Sequence, residues 1–185
     1  MTHKMVRPLI LFQLVLLISP LAAQAKDCSD AYVGEFVRRF YVVGGHPSSV
    51  PSLIQLQEGN GGPFSIKLHG LLVSAAKYRD KFISTHPPEP SGDGEPPIIY
   101  KPPFVDGDIF RGSPDGAAQF AVRNVRSLKK GRWDVRLKSA PDTNMSPWAV
   151  SVIVVRERKR CAIDDVRYEP LSEGVTLSKW LSTRW

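Results

Sequence analysis

Two adjacent carboxylates, Asp164 and Asp165, are the residues whose type and setting best suit chemistry. They lie in residues 161–168, a stretch that reads as a β-strand, where neighbouring side chains point to opposite faces. Only one of the two is therefore expected to look into the interior. A carboxyl buried there has its pKa raised and can act as a general base. The hydroxyl of Tyr168 or Tyr100 would then donate a hydrogen bond to the developing charge. The structural alternative is an aspartate that binds a tyrosine, an arginine or backbone amides at a strand bend. A lone interior carboxylate is not an enzyme. The usual apparatus of nucleophilic or phosphate chemistry is also missing, since no GxSxG, Walker loop, dinucleotide fingerprint or HExxH occurs.

Asp106-Gly107-Asp108 resembles the start of a calcium loop, but the later ligands and the closing glutamate are absent. Turn chemistry accounts for it, and for Pro114-Asp115-Gly116, without a metal. His46, His69 and His86 are scattered without ligand spacing, so neither a metal nor another cofactor is expected.

The cations are arranged more suggestively. Lys129, Lys130 and Arg132 surround one turn signal; Arg156, Arg158, Lys159 and Arg160 surround another. In an antiparallel meander the first and third turns lie at the same end, so the two clusters would form one basic rim. Such a rim suits an acidic protein, a phosphate-bearing envelope component or an anionic membrane surface. The plainer reading is two independently solvated hairpin turns.

The elements that must position these residues begin with an export signal. Residues 1–8 carry Lys4 and Arg7 without an acid, residues 9–18 are apolar apart from Gln13, and Ala23-Gln24-Ala25 supplies a cleavage pattern. Cleavage after Ala25 leaves 160 of 185 residues, the size of one domain, and lowers the formal charge from +7 to +5. Residues 1–25 thus read as a signal peptide and 26–185 as a single periplasmic domain with no membrane span. Export directs the basic charge toward the envelope, and no nucleic-acid partner is expected. Cys28 and Cys161, an even count in an exported chain, favour a disulfide from the first helix to a late strand. Two buried thiols are the alternative.

A helix capped by Ser29 or Asp30 carries Val33, Phe36, Val37, Phe40 and Tyr41 on one face and stops at Gly44-Gly45. A second covers 64–84, with Leu68, Leu71, Leu72, Ala75, Tyr78 and Phe82 as its stripe. Residues 86–116 hold half of the chain's 16 prolines. Their first part, 86–95, reads as a mobile connector, whereas 98–110 is apolar enough to pack across the domain. Strands are expected at 117–128, 132–139, 148–158 and 161–168, and a short helix at 176–182. Helices followed by a meander make an α+β fold, with helices on one side of a curved four-stranded antiparallel sheet forming a half-open cone. The valine-rich strand at 148–155 would also permit a dimer through the open sheet face.

Five segments together, FVRRFY (36–41), PFVDGDIF (103–110), PWAVSVIVVRER (147–158), CAIDDVRY (161–168) and TLSKWL (176–181), resemble one family. It is a group of exported bacterial proteins classed as domain of unknown function 3828, with a nuclear-transport-factor-2-like, cystatin-like cone. The resemblance spans nearly all of the mature chain and is strongest at Ile163-Asp164-Asp165-Val166 and Tyr168. The tryptophan usual before that isoleucine is replaced around Cys161. The resemblance implies a fold and a compartment but no activity. The leading expectation is a non-catalytic periplasmic binding or interaction protein with an apolar cone pocket and a basic rim. A small isomerase or dehydratase using an interior aspartate is the alternative. A third is an immunity protein that blocks a toxin from a competing cell through residues 86–116.

Overall fold

A computed structural model describes residues 28–43, 50–57, 62–92, 96–103, 108–112, 119–139, 149–169 and 175–183. The expected signal peptide, His46, Trp148, Asp106-Gly107 and Pro114-Asp115-Gly116 lie outside the described residues.

Helix α1 spans Asp30–Arg38, and the Ser29 hydroxyl accepts from the Tyr32 amide at its start. A π-helical turn, Arg39–Val43, continues it and carries Phe40 and Tyr41 toward the core. A short helix α2, Val50–Gln55, follows where a loop was expected; Pro51 fits the first turn of a helix, where its missing N–H has no partner to lose. Helix α3, Ile66–Thr85, is capped by Ser65. The sheet comprises β1 (Phe120–Lys129), β2 (Arg132–Ser139), β3 (Ala149–Glu157) and β4 (Arg160–Glu169), antiparallel throughout and ordered β1-β2-β3-β4. Helix α4, Leu177–Ser182, closes the described chain. The architecture is α+β, as the order of elements implies.

The helices cover one face of the sheet. Val33 and Val37 of α1, Leu68, Leu72 and Ala75 of α3, and Leu177 and Leu181 of α4 share a core with sheet residues. Those residues are Trp133, Val135 and Leu137 of β2, Val150, Val152 and Val154 of β3, and Ile163, Val166 and Tyr168 of β4. Each buried aliphatic side chain of this size contributes about 1.5–3 kcal/mol. Aromatic rings pack together within this core. Phe40 lies 5.7 Å from Phe64 and 5.2 Å from Phe110, and Phe64 stacks on Phe110 at 5.3 Å. Val150, Val152 and Val154 of β3 point into this core, and Ile153 and Val155 alternate with them along the strand.

The outer edge of β4 is covered by the chain itself. The Ser65 amide donates to the Ile163 carbonyl and the Ile163 amide to the Pro63 carbonyl, both at 2.8 Å. Thr176 bridges to Arg167 farther along. A disulfide joins Cys28, just before α1, to Cys161 at the start of β4. No helix among the described residues is long and apolar enough to cross a membrane.

The connector departs from expectation in one half. Ile109 and Phe110 are buried, but Ile98, Ile99 and Tyr100 are 51%, 72% and 41% exposed. Prolines at 96, 97, 102 and 103 hold this stretch extended, and Ile98 pairs with Glu89 rather than with the sheet. The result is a narrow arm beside the end of α3, where His86 stacks on Phe82.

Residues 108–112 are pinned by two tyrosines. The Tyr41 hydroxyl donates to the Phe110 carbonyl and the Tyr168 hydroxyl to the Ile109 carbonyl. Burial is the main force raising the pKa of both phenols, with nearby carboxylates adding to it. A raised phenol pKa means the fold favours the neutral form. That contribution is complete below about pH 10, the ordinary phenol value, and is lost as pH rises beyond it. Phenolate absorbance from Tyr41 and Tyr168 is therefore expected to appear only as near-ultraviolet circular dichroism collapses. Ionisation of both with the dichroism intact would contradict this packing.

Candidate functional site

The two aspartates do not obey simple alternation. In the β3–β4 ladder Val154 pairs with Ile163 and Ile153 with Asp165, leaving Asp164 as an extra residue in a β-bulge. The core side chains of β4 accordingly run Cys161, Ile163, Val166, Tyr168, with a step of three in the middle. Asp164 is buried and Asp165 half-buried, and both carboxylates meet residues at helix starts, Ser65 before α3 and Ser178 in α4.

Both carboxylates are occupied by structure. Asp164 Oδ1 accepts from the Ser65 hydroxyl at 2.9 Å, and Oδ2 from Arg132 at 3.3 Å. The same Ser65 oxygen accepts from the Leu68 amide at 3.0 Å, so Asp164 ties the cap of α3 to β2. Asp165 Oδ1 accepts from the Val166 amide at 2.9 Å and the Ser178 amide at 2.8 Å, fixing the start of α4. The Tyr168 hydroxyl is spent on Ile109. Tyr100 sits on the exposed arm, its ring 5.8 Å from that of His86. A hydrogen bond to Glu89 is the main cause of its raised pKa. Asp165 lies near enough to Tyr168 to add to the effect of burial in raising its pKa, but Tyr100 stands apart from them on the arm. Asp108 likewise serves a turn, accepting from the Phe110 and Arg111 amides and pairing with Arg111.

The basic turns do converge. With strands in order, the β1–β2 and β3–β4 turns fall at the same end, and they touch: the Arg156 amide donates to the Gly131 carbonyl at 2.8 Å. Gly131 has φ +74°, the conformation that closes the first hairpin at least cost. In the second turn Arg158 (φ 48°) and Lys159 (φ 67°) both occupy the left-handed region, where Asn-Gly is the favoured pair. Holding two side-chain-bearing residues there costs about 1–2 kcal/mol each.

The seven basic residues divide by role. Lys129, Lys130, Arg156, Arg158 and Lys159 are exposed. Arg132 holds Asp164, and Arg160 reaches the carbonyls of Gly62 and Phe64 and the Glu157 carboxylate. These two are structural members of the rim, a division that the sequence does not display. The acids nearest the turns are paired: Glu157 also accepts from the Ile66 amide at 3.1 Å, and Asp164 is held by Arg132. Lys129, Lys130, Arg158 and Lys159 have no ion-pair partner among the described residues.

A separate polar groove of about 170 Å³ lies on the sheet face away from the helices. Asn124, Arg126, Asp134, Arg136, Ser151 and Glu169 line it. Arg126 pairs with Asp134 at 3.1 Å and Arg136 with Glu169 at 2.6 Å, so its charges largely satisfy one another. Asp134 and Arg136 alternate along β2 with the core residues Trp133, Val135 and Leu137, and their partners from β1 and β4 depend on the register. Among the described residues no group of His, Cys, Asp and Glu is arranged to hold a metal ion. Comparison with family models, curated proteins and solved structures returns no match.

Proposed function

We propose that this chain is a non-catalytic binding protein of the periplasm whose working surface is the basic end, and that its partner is an anionic component of the envelope. The observation that carries this reading is the junction of the two hairpin turns, with Lys129, Lys130, Arg158 and Lys159 exposed and the neighbouring acids Glu157 and Asp164 already paired. Clustered like charge raises the local potential and speeds encounter with an anion. The strained placement of Arg158 and Lys159 adds support, because the backbone cost sits at the tip where both charges project. The isomerase reading gains no such support, as Asp164, Asp165 and Tyr168 are already engaged.

Charge reversal at Lys130, Arg158 and Lys159, sparing Arg132 and Arg160, is expected to lower the salt needed to elute the protein from immobilised heparin by about half or more. Reversal at exposed Lys77, Lys81 and Lys138 is expected to shift elution far less. Equal losses in both variants would mean that net charge, not this surface, governs retention.

One observation favours a second reading, an immunity protein acting through residues 86–116: the arm presents Ile98, Ile99 and Tyr100 to solvent. A toxin gene next to this one would support it, and its absence would weigh against it.

A further inference from the structure

The basic end is not purely polar. Leu128, the extra residue where the β1–β2 register shifts, is 40% exposed and directly precedes Lys129 and Lys130. Ile66, 54% exposed, opens α3, and its amide bonds Glu157 beside the β3–β4 turn. Leu56 is exposed as well; its carbonyl lies against Gly62, whose own carbonyl accepts from Arg160. Exposed Lys67 adjoins Ile66. The amino-terminal end of the 20-residue α3 is at the same place, its Ile66 amide already met by the Glu157 carboxylate.

A soluble polyanion such as heparin would be held by the cations alone and makes no use of aliphatic side chains set among them. A bilayer uses both: headgroup phosphates meet the cations while short aliphatic side chains enter the acyl boundary. We infer that the basic end docks on the surface of an anionic phospholipid bilayer, with Lys129, Lys130, Arg158 and Lys159 on the phosphates and Leu128 and Ile66 inserted between headgroups. This rests on the reading of the basic end as the working surface and names its partner. The contact is peripheral and reversible, since a few aliphatic groups and a cationic cluster give binding that salt weakens.

The test uses the protein as the cell processes it, in vesicle flotation. Vesicles of phosphatidylcholine are compared with vesicles containing about a quarter phosphatidylglycerol. Binding to the anionic vesicles is expected to be about tenfold stronger or more, and to fall with added salt. Leu128→Ser with Ile66→Ser, both at exposed positions that should leave the core intact, is expected to reduce vesicle binding about fivefold or more and to leave heparin retention unchanged. Reversal at Lys130, Arg158 and Lys159 is expected to abolish vesicle binding and to halve the heparin elution salt. Vesicle binding indifferent to the serine pair, or heparin retention without vesicle binding, would overturn the lipid assignment while the broader anionic reading stands. Loss of neither on charge reversal would overturn both.

Discussion

Replacing Cys28 and Cys161 by alanine is expected to lower the unfolding free energy by about 3–5 kcal/mol. The two residues are 133 apart in sequence, so the bond constrains most of the unfolded chain. Chain-entropy arguments put loops of this length near the upper end of disulfide stabilisation, about 4–5 kcal/mol. Both residues are buried, so the alanines also leave small cavities beside Val33 and Ile163 in the same cluster. Against a total of about 5–15 kcal/mol for a domain, the loss is large. Urea unfolding of the double variant, and of the parent protein with and without dithiothreitol, measures it. Reductant should reproduce most of the mutational effect; unchanged midpoints in both comparisons would show that the bond contributes no stability.

Gly112→Ala is the second substitution expected to be severe. Gly112 has φ +64°, and a Cβ there would lie 2.5 Å from Cδ1 and 3.0 Å from Cε1 of Tyr168. That ring has nowhere to go, because it is buried in the core and its hydroxyl is held by the Ile109 carbonyl. Backbone strain of about 1–2 kcal/mol and overpacking of about 1–3 kcal/mol together predict a loss of about 2–5 kcal/mol. Gly70→Ala is the contrasting control. It lies inside α3 with open space around the new methyl, and is expected to stabilise by about 0.5–1 kcal/mol. Denaturant midpoints moving in opposite directions would support the packing described around Tyr168, and a neutral Gly112→Ala would contradict it.

The elements that sequence made legible are those with a strong period or a cap. The alternation of Trp133, Val135 and Leu137 fixed β2 to the residue, and Ser29, Ser65 and Thr176 cap helices that their apolar spacing already implied. Counting turns in a meander was enough to bring the two basic clusters to one end. Two kinds of feature were hidden. The bulge at Asp164 is a matter of ladder register, and a single inserted residue leaves no mark on composition or charge. It nevertheless sets the pairing of Asp165 with Ile153 and leaves Asp164 as the extra residue. The exposure of residues 98–100 was hidden for a different reason. Apolar content argues for burial, but the flanking prolines and the pairing of Ile98 with Glu89 hold that stretch off the core. The division of the rim into structural Arg132 and Arg160 and exposed Lys129, Lys130, Arg158 and Lys159 also required the fold, since it depends on Asp164 and on the carbonyls of residues 62 and 64.

Hydrogen–deuterium exchange with and without phosphatidylglycerol vesicles tests most directly whether the basic end is the working surface. Protection is expected at residues 128–131 and 157–160 and at the start of α3, with the groove-lining strands around Arg126 and Arg136 unchanged. Protection confined to that open sheet face, or none at either turn, would contradict the account.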